Sequence, residues 1–419
     1  MNLRGDFWRF VCSNWVTVLG TQITIVALPL TAVLALHAGA FQLGLLNVVQ
    51  TAAFLLIGLP AGVWVDRRPR RPILVWADLV RGFALLTVPA AAWLGVLTLP
   101  HLYAVALVLG VGTVFFDVAQ MSFLPAIVPR QGLERANGRL EVTRQVSVLT
   151  GPGLGGWLVA TITAPFALLA DAFGYLVSAH LLSGIRAGER PESRPKRRPR
   201  PDERLDERPE SGPKRRLRAE VAEGIAFVVQ DQVLRRVAIG GALTRIALGI
   251  TAVGYPLYLV VDLHVEATAY GLLLSASAVG ALLGAPLVGG LTARFGIGAT
   301  LYGSAVLVAV LQLPALATGP GWRLLAFPVA SALASAAGVI FNVVQLSYRQ
   351  RITPEHLLGR VNASMRFIMW GTTPLGGLAG GLLGEWLGGY AVFAAGVIML
   401  ALSYLAVVTA PGIRLTKAG

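Results

Sequence analysis

Phe116-Asp117-Val118-Ala119-Gln120-Met121-Ser122 and Phe341-Asn342-Val343-Val344-Gln345-Leu346-Ser347 decide the fold, because they align within one chain at an offset of 225 residues. The register then holds without a gap. Ile127, Pro129, Leu133, Arg135, Asn137, Gly151, Gly155, Gly156 and Leu158 recur as Ile352, Pro354, Leu358, Arg360, Asn362, Gly376, Gly380, Gly381 and Leu383. Self-similarity at a fixed distance marks a duplicated structural unit. The chain therefore reads as two related halves.

The solvent of those halves follows from composition. Of 419 residues, 55% are hydrophobic and only 13% charged, whereas soluble domains carry roughly 25% charged residues. Runs such as Phe10 to Leu36, Phe41 to Val65 and Leu102 to Leu124 each exceed the ~20 residues that carry a helix across a bilayer. Apolar runs between breakers give about twelve spans, near 10–36, 42–65, 73–96, 101–124, 141–163, 165–185, 236–261, 269–292, 298–317, 322–346, 361–387 and 389–411. The expected fold is an all-α membrane protein of two six-helix halves. Halves repeated in the same orientation are the architecture of alternating-access carriers, with a substrate site between them near the midplane. Arg4 and Arg9 before an apolar run could open a secretory signal. That run is too long for one and lacks a small-residue cleavage site, so it is read as the first span.

Charge placement sets orientation and domain limits. Arg67, Arg68, Arg70, Arg71, Arg130, Arg135, Arg139, Arg294, Arg349, Arg351 and Arg360 fall in loops on one side, with Arg323 the clear basic residue on the other. The positive-inside rule then places both termini in the cytoplasm of a cell-membrane protein. Arg186 to Arg218 holds thirteen basic and seven acidic residues with almost nothing apolar, a composition that buries nothing and reads as a disordered cytoplasmic linker. The expected units are 1–185, the linker 186–218, and 219–419. The linker accounts for six of the net charge of +14, and the rest edges the membrane, so nucleic acid is not the expected partner. Cys12 and the five histidines His37, His101, His180, His264 and His356 show no ligand spacing, which excludes a disulfide framework and leaves no metal or cofactor expected. No Gly-x-x-x-x-Gly-Lys-[Ser/Thr] is present, so ATP hydrolysis within the chain is not expected. An embedded enzyme lacks a convergent nucleophile and base.

Gly62-Val63-Trp64-Val65-Asp66-Arg67-Arg68-Pro69-Arg70-Arg71-Pro72 follows the second span. A glycine permits close helix approach, an aspartate can face a helix N-terminus, and arginines sit at an anionic membrane surface. The stretch resembles motif A of the major facilitator superfamily, G-x-x-x-D-R-x-x-R-[RK]. That resemblance implies the major facilitator fold and a cytoplasmic latch between the halves, carried by Gly62, Asp66, Arg67, Arg70 and Arg71. A plain positive-inside arginine cluster is the competing reading. The second-half counterpart, Gly290 to Gly296, retains less of the pattern.

Span five reads Gly138, Ser147, then Gly151-Pro152-Gly153-Leu154-Gly155-Gly156. Glycines four apart flatten one helix face and Pro152 removes a backbone hydrogen bond. The pattern resembles the superfamily's antiporter motif, with Ser147 in place of one glycine, and implies export. Ordinary small-residue packing is the alternative. Asp78 to Arg81, Phe115 to Asp117, and Asp171 to Ala179 resemble the branch of macrolide-efflux proteins and enterobactin exporters. The fourth span lacks the arginine that many drug antiporters carry there.

Ionisable residues inside spans cost ~2.5–3.5 kcal/mol at mid-helix, so each is a functional candidate. They are Asp78, Arg81, Asp117, Asp171, Arg245, Arg366 and Glu385. Asp78 and Arg81 stand one turn apart, which also fits a structural ion pair. Asp117, about seven residues from the end of its span, lies roughly 10 Å deep, where it either exchanges a proton or clamps an arginine; its repeat partner is the neutral Asn342. Asp117, Asp171 and Asp78 are the proton-coupling candidates. Arg245 is either a counter-ion for an anionic substrate or the partner of an acid. Gln22, Asn47, Gln50, Arg245, Asn342 and Trp370 are the candidates for an amphipathic substrate cavity. The sequence thus points to proton-driven efflux of small amphipathic compounds by a monomer in the bilayer. Uptake, or lipid and lysolipid movement, by the same fold is the alternative.

Overall fold

A computed structural model describes residues 3–128, 132–185, 223 and 225–409. The expected linker 186–218, Pro129 and Arg130 lie outside these residues, as do the side chains of Asp66, Arg360, Asn362 and Arg366. The described elements are helical and include no strand.

The N-terminal half comprises α1 (Leu3–Leu30, continued by a π-helical turn Thr31–Ala35), α2 (Ala40–Asp66), α3 (Arg70–Trp93), α4 (Leu99–Ile127), α5 (Leu133–Ile162) and α6 (Ala164–Ser183). The C-terminal half comprises α7 (Gln232–Tyr255, continued by π-helical Pro256–Asp262), α8 (Ala267–Gly284), α9 (Leu287–Gln312), α10 (Ala326–Ile352), α11 (Glu355–Trp370), α12 (Thr373–Leu387) and α13 (Gly389–Val408). Breaks fall where backbone chemistry requires them. Pro69 precedes α3, and Pro100 and Pro165 occupy first turns, where the missing amide donor costs nothing. Gly388, at φ 82°, turns α12 into α13, a left-handed conformation that glycine adopts without a Cβ penalty.

Ten of the described helices are long and apolar enough to cross a bilayer. Two expected spans are missing from those ten for different reasons. The membrane part of α5 is diluted by glycines and polar residues, and span eleven is divided by Gly371 and Thr372 into α11 and α12. The expected boundary between spans eight and nine appears inside α9, at Gly296 with φ 78° and ψ 166°. The short turn at Ala285 and Pro286 interrupts the eighth span instead.

The duplication is visible in the packing. Helix α1 packs on α5 and α6, α3 on α4 and α6, and α2 on α4; α7 likewise packs on α12 and α13, α9 on α10 and α13, and α8 on α10. Across the halves, α5 packs on α8 and α12 on α2. Equivalent glycines make the equivalent contacts. A Cβ at Gly155 would stand 3.1 Å from the Ile23 Cα on α1, and one at Gly380 would stand 3.0 Å from the Ile250 Cα on α7. A Cβ at Gly156 would stand 3.1 Å from the Gly271 Cα, and one at Gly381 would stand 3.1 Å from the Gly44 Cα. Each of these helices therefore lays one glycine face on its own half and another on the opposite half, at backbone-to-backbone distance.

These cross-half contacts lie toward the end that carries Gly39, Glu385 and the π-helical turns of α1 and α7. The opposite end carries Gly62, Gly138, Gly289 and Gly290, where an added Cβ would meet no described atom within 4 Å. Paired glycine contacts thus join the two halves near one end.

Candidate functional site

Between the halves lies a chamber of about 370 Å³, walled by Gln22, Thr24, Asn47, Gln50 and Pro152 from the first half and by Thr251, Tyr255, Tyr270 and Ser277 from the second. A second chamber of about 420 Å³ runs into the C-terminal half along Thr244, Arg245, Gln312, Asn342, Gln345 and Tyr404. Leu248, Tyr255, Leu274 and Ser277 line both, so the two chambers adjoin and together make a compartment whose second chamber is lined by the C-terminal half. Five of the six residues expected in a substrate cavity line it: Gln22, Asn47 and Gln50 in the first chamber, Arg245 and Asn342 in the second. The Asn47 side-chain oxygen is buried without a hydrogen-bond partner among the described atoms.

The sixth, Trp370, stands at the edge of that compartment. Its ring stacks on Phe54 at 5.1 Å between centroids, and the Arg245 guanidinium lies 3.8 Å from its centre. This column joins α2, α11 and α7. Phe54 carried no sequence signal, because one aromatic in an apolar span is indistinguishable from lipid-facing or core packing.

The acids of the N-terminal half form a buried network. Arg81 pairs with Asp78 one turn away, and the other Asp78 oxygen accepts from the Ser178 hydroxyl at 2.5 Å. The guanidinium also reaches the Ala77 carbonyl and Thr113 Oγ1, both at 3.3 Å, and lies between the Phe116 and Tyr175 rings at 4.5 and 4.3 Å. A buried cation so enclosed keeps its charge through hydrogen bonds and ring quadrupoles. Asp117, on α4 beside Phe116, interacts electrostatically with Arg81. Two glycines make the room. A Cβ at Gly112 would stand 2.6 Å from Arg81 Cγ, and one at Gly20 would stand 3.0 Å from Asp171 Cα.

Asp171 is fully buried on α6, and one of its oxygens accepts from the Thr24 hydroxyl. The other has no hydrogen-bond partner among the described atoms. Thr24 also lines the first chamber, so this carboxyl sits one hydroxyl behind the cavity wall. Thr24 escaped the sequence reading, and Tyr175 and Ser178 stood in the Asp171 to Ala179 stretch without a role, because threonines, tyrosines and serines in spans are common and their partners lie on other helices.

The antiporter-like residues are split by role. Gly151 faces Gln22 on α1, Gly155 faces Ile23, and the Pro152 carbonyl and Gly156 abut α8 at Gly271. Ser147 is buried and donates to the Thr143 carbonyl at 2.9 Å, whereas Gly138 meets no described atom. Of the latch residues, Gly62 is unobstructed and Arg67 exposed. Arg70 opens α3. Arg71 donates to the last carbonyls of α6, Leu182 at 3.1 Å and Ser183, which a cation at a helix C-terminus does favourably.

A twelve-span bundle of two repeated halves enclosing a compartment of mixed apolar and polar lining defines a secondary carrier. The chain belongs to the Major Facilitator Superfamily, whose family model matches residues 10–234 and 237–417. It is a multi-pass membrane transporter and not an enzyme. Among curated relatives it is 28% identical over 427 residues to the multidrug efflux pump Tap of Mycobacterium tuberculosis, covering 98% of this chain and 94% of that protein. It is 25% identical over 355 residues to the enterobactin exporter EntS of Citrobacter koseri, covering 84% and 78%. Among solved structures, a bacterial homologue of the iron transporter ferroportin in its inward-facing state superposes with a TM-score of 0.73 at 17% identity, covering 98% and 100%. The same homologue facing outward gives 0.60, covering 98% of each chain.

Proposed function

We propose that this carrier exports small amphipathic compounds by alternating access, coupled to protons, with both termini in the cytoplasm and the glycine seal facing outward. The observation that carries the reading is the compartment between two halves joined by paired glycine contacts at one end. A pathway sealed at one end by symmetric, substitution-sensitive crossings is what a two-state carrier needs, because each state must close one face. Near-full-length similarity to a multidrug efflux pump supports the direction.

Asp171 is the proton-coupling group we favour over Asp117 and Asp78. Asp78 is saturated by Arg81 and Ser178, whereas Asp171 has an oxygen to spare and touches the chamber through Thr24. The motif of Gly62, Asp66, Arg67, Arg70 and Arg71 acts as the latch of the opposite, outward-open state. The working unit is the monomer, with 1–185 and 219–419 as its halves and 186–218 as a cytoplasmic tether.

The test is accumulation of a panel of fluorescent compounds and antibiotics in cells with and without the protein, each with and without a proton uncoupler. Export predicts lower accumulation in expressing cells, abolished by the uncoupler. Higher accumulation in expressing cells would assign uptake instead.

A further inference from the structure

A further hollow lies within the N-terminal half, lined by residues that line neither chamber of the compartment. It is an open groove of about 640 Å³ between α2, α3 and α4. Ile73, Trp76 and Val80 of α3 form one side, and Leu107, Val111 and Phe115 of α4 the other. From Leu107 to Phe115, at ~1.5 Å per residue, the groove runs roughly 12 Å along the bundle. Trp76, Val80 and Leu107 are exposed, and both helices are long and apolar enough to cross a bilayer, so the groove opens sideways onto hydrocarbon. Among the described residues that line it, Arg68 alone carries a charge. It stands between α2 and α3 at the end that carries Gly62, with its side chain exposed. The guanidinium lies 4.4 Å from the centre of the Trp64 ring, and that ring meets Phe115 edge-on at 5.4 Å. Stacking on Trp64 therefore holds a cation at the mouth of an apolar groove without neutralising it.

From this juxtaposition we infer that α2, α3 and α4 form a binding site for one anionic phospholipid, with an acyl chain along the α3 and α4 walls and its phosphate on Arg68. The site is separate from the transport compartment. The charge of the mouth selects the headgroup: Arg67, Arg68, Arg70 and Arg71 outnumber Asp66 in this loop, and basic residues at a membrane surface attract anionic lipid. A zwitterionic lipid keeps the acyl contacts but carries its own ammonium beside the phosphate. A soluble phosphate ester has the charge without the chain. At the repeat offset Phe115 corresponds to Ile340, a buried residue, so the second half lacks this aromatic wall at the equivalent place. With both termini in the cytoplasm the lipid would come from the inner leaflet, and that leaflet assignment alone rests on the proposed topology.

Native mass spectrometry of the purified full-length protein in mild detergent tests the site. The probes are phosphatidylglycerol and phosphatidylcholine with the same palmitoyl and oleoyl chains. The first phosphatidylglycerol should bind about fivefold more tightly than the first phosphatidylcholine, the preference expected of one basic residue facing an anionic headgroup. Arg68→Gln should remove that preference and leave phosphatidylcholine at its parental affinity. Arg294→Gln is the control for a plain basic surface, since Arg294 is exposed and also lies over a ring, Phe295 at 5.3 Å, on α9 outside the groove; it should change neither lipid. Val111→Phe, which narrows the groove with Arg68 in place, should weaken both. Glycerol 3-phosphate at the same concentration should displace neither. Should Val111→Phe fail to fold, the contrast between Arg68→Gln and Arg294→Gln still decides. Equal affinities for the two lipids, equal losses in Arg68→Gln and Arg294→Gln, parental binding in Val111→Phe, or displacement by glycerol 3-phosphate overturns the assignment. No transport is measured, so a failure here is distinguishable from a failure of export.

Discussion

Replacing Gly156 by alanine perturbs the seal between the halves at a single atom. The added Cβ would collide with the Ala267 carbonyl oxygen and stand 3.0 Å from the Ala267 carbonyl carbon and 3.1 Å from the Gly271 Cα. All three are backbone atoms, so no side chain can swing aside, and α5 and α8 must separate to accommodate it. Overpacking of this kind costs about 1–3 kcal/mol. Paid only in the sealed conformation, it shifts the equilibrium toward the opposite state by about 5- to 150-fold. Gly138→Ala on the same helix is the internal control, since its Cβ would meet no described atom. Spin labels at Val96 and Leu387, exposed residues near the sealed end of opposite halves, report the separation on a Cys12→Ser background. Double electron–electron resonance should show a longer-distance population in Gly156→Ala, and an unchanged distribution in Gly138→Ala. Gly381→Ala, which presses on Gly44 and Phe41, should behave like Gly156→Ala. Parental distance distributions in both Gly156→Ala and Gly381→Ala would refute the claim that these crossings set the conformational equilibrium.

Further outcomes follow from the same geometry. Gly112→Val should lower the apparent melting temperature by several degrees in detergent scanning fluorimetry, because its side chain occupies the volume of the Arg81 stem and core overpacking costs about 1–3 kcal/mol; Gly62→Val should leave that temperature unchanged. Asp66→Asn or Gly62→Leu should slow cycling, measured as initial transport rate, without reducing membrane insertion, as expected of contacts used in one state only. Deleting Pro191 to Pro213 should leave insertion and transport rate within about twofold of the parent, since a charged, proline-rich tether buries no apolar surface.

The fold was legible because duplication and hydropathy survive any rearrangement of side chains. The offset joining Gly151, Gly155 and Gly156 to Gly376, Gly380 and Gly381 announced equivalent helices, and the structure gives each glycine the matching neighbour. Hydropathy located most spans but could not show that α11 and α12 form one broken span, because Gly371 and Thr372 are ordinary residues until their backbone is seen. The site was legible only in part. Gln22, Asn47, Gln50, Arg245 and Asn342 stood out as polar residues in apolar runs, and they do line the compartment. Which neighbours they would meet was hidden. Spans that are apolar all round lack the 3.6-residue stripe that identifies an inward face. Thus the pairing of Asp171 with Thr24, the enclosure of Arg81 between Phe116 and Tyr175, and the Phe54–Trp370–Arg245 column each join helices distant in sequence. Asp78 with Arg81 was the exception, being one turn apart on one helix.

Proton-coupled export is tested most directly in inside-out membrane vesicles with an acidified lumen, using a compound that expressing cells exclude and a lumenal pH dye. Substrate should accumulate in the lumen while the lumen becomes more alkaline. Asp171→Asn should abolish both signals at unchanged protein level, and Asp117→Asn should abolish neither. Accumulation that persists at the parental rate after the pH gradient is collapsed, or in Asp171→Asn with the same pH dependence, would contradict the account.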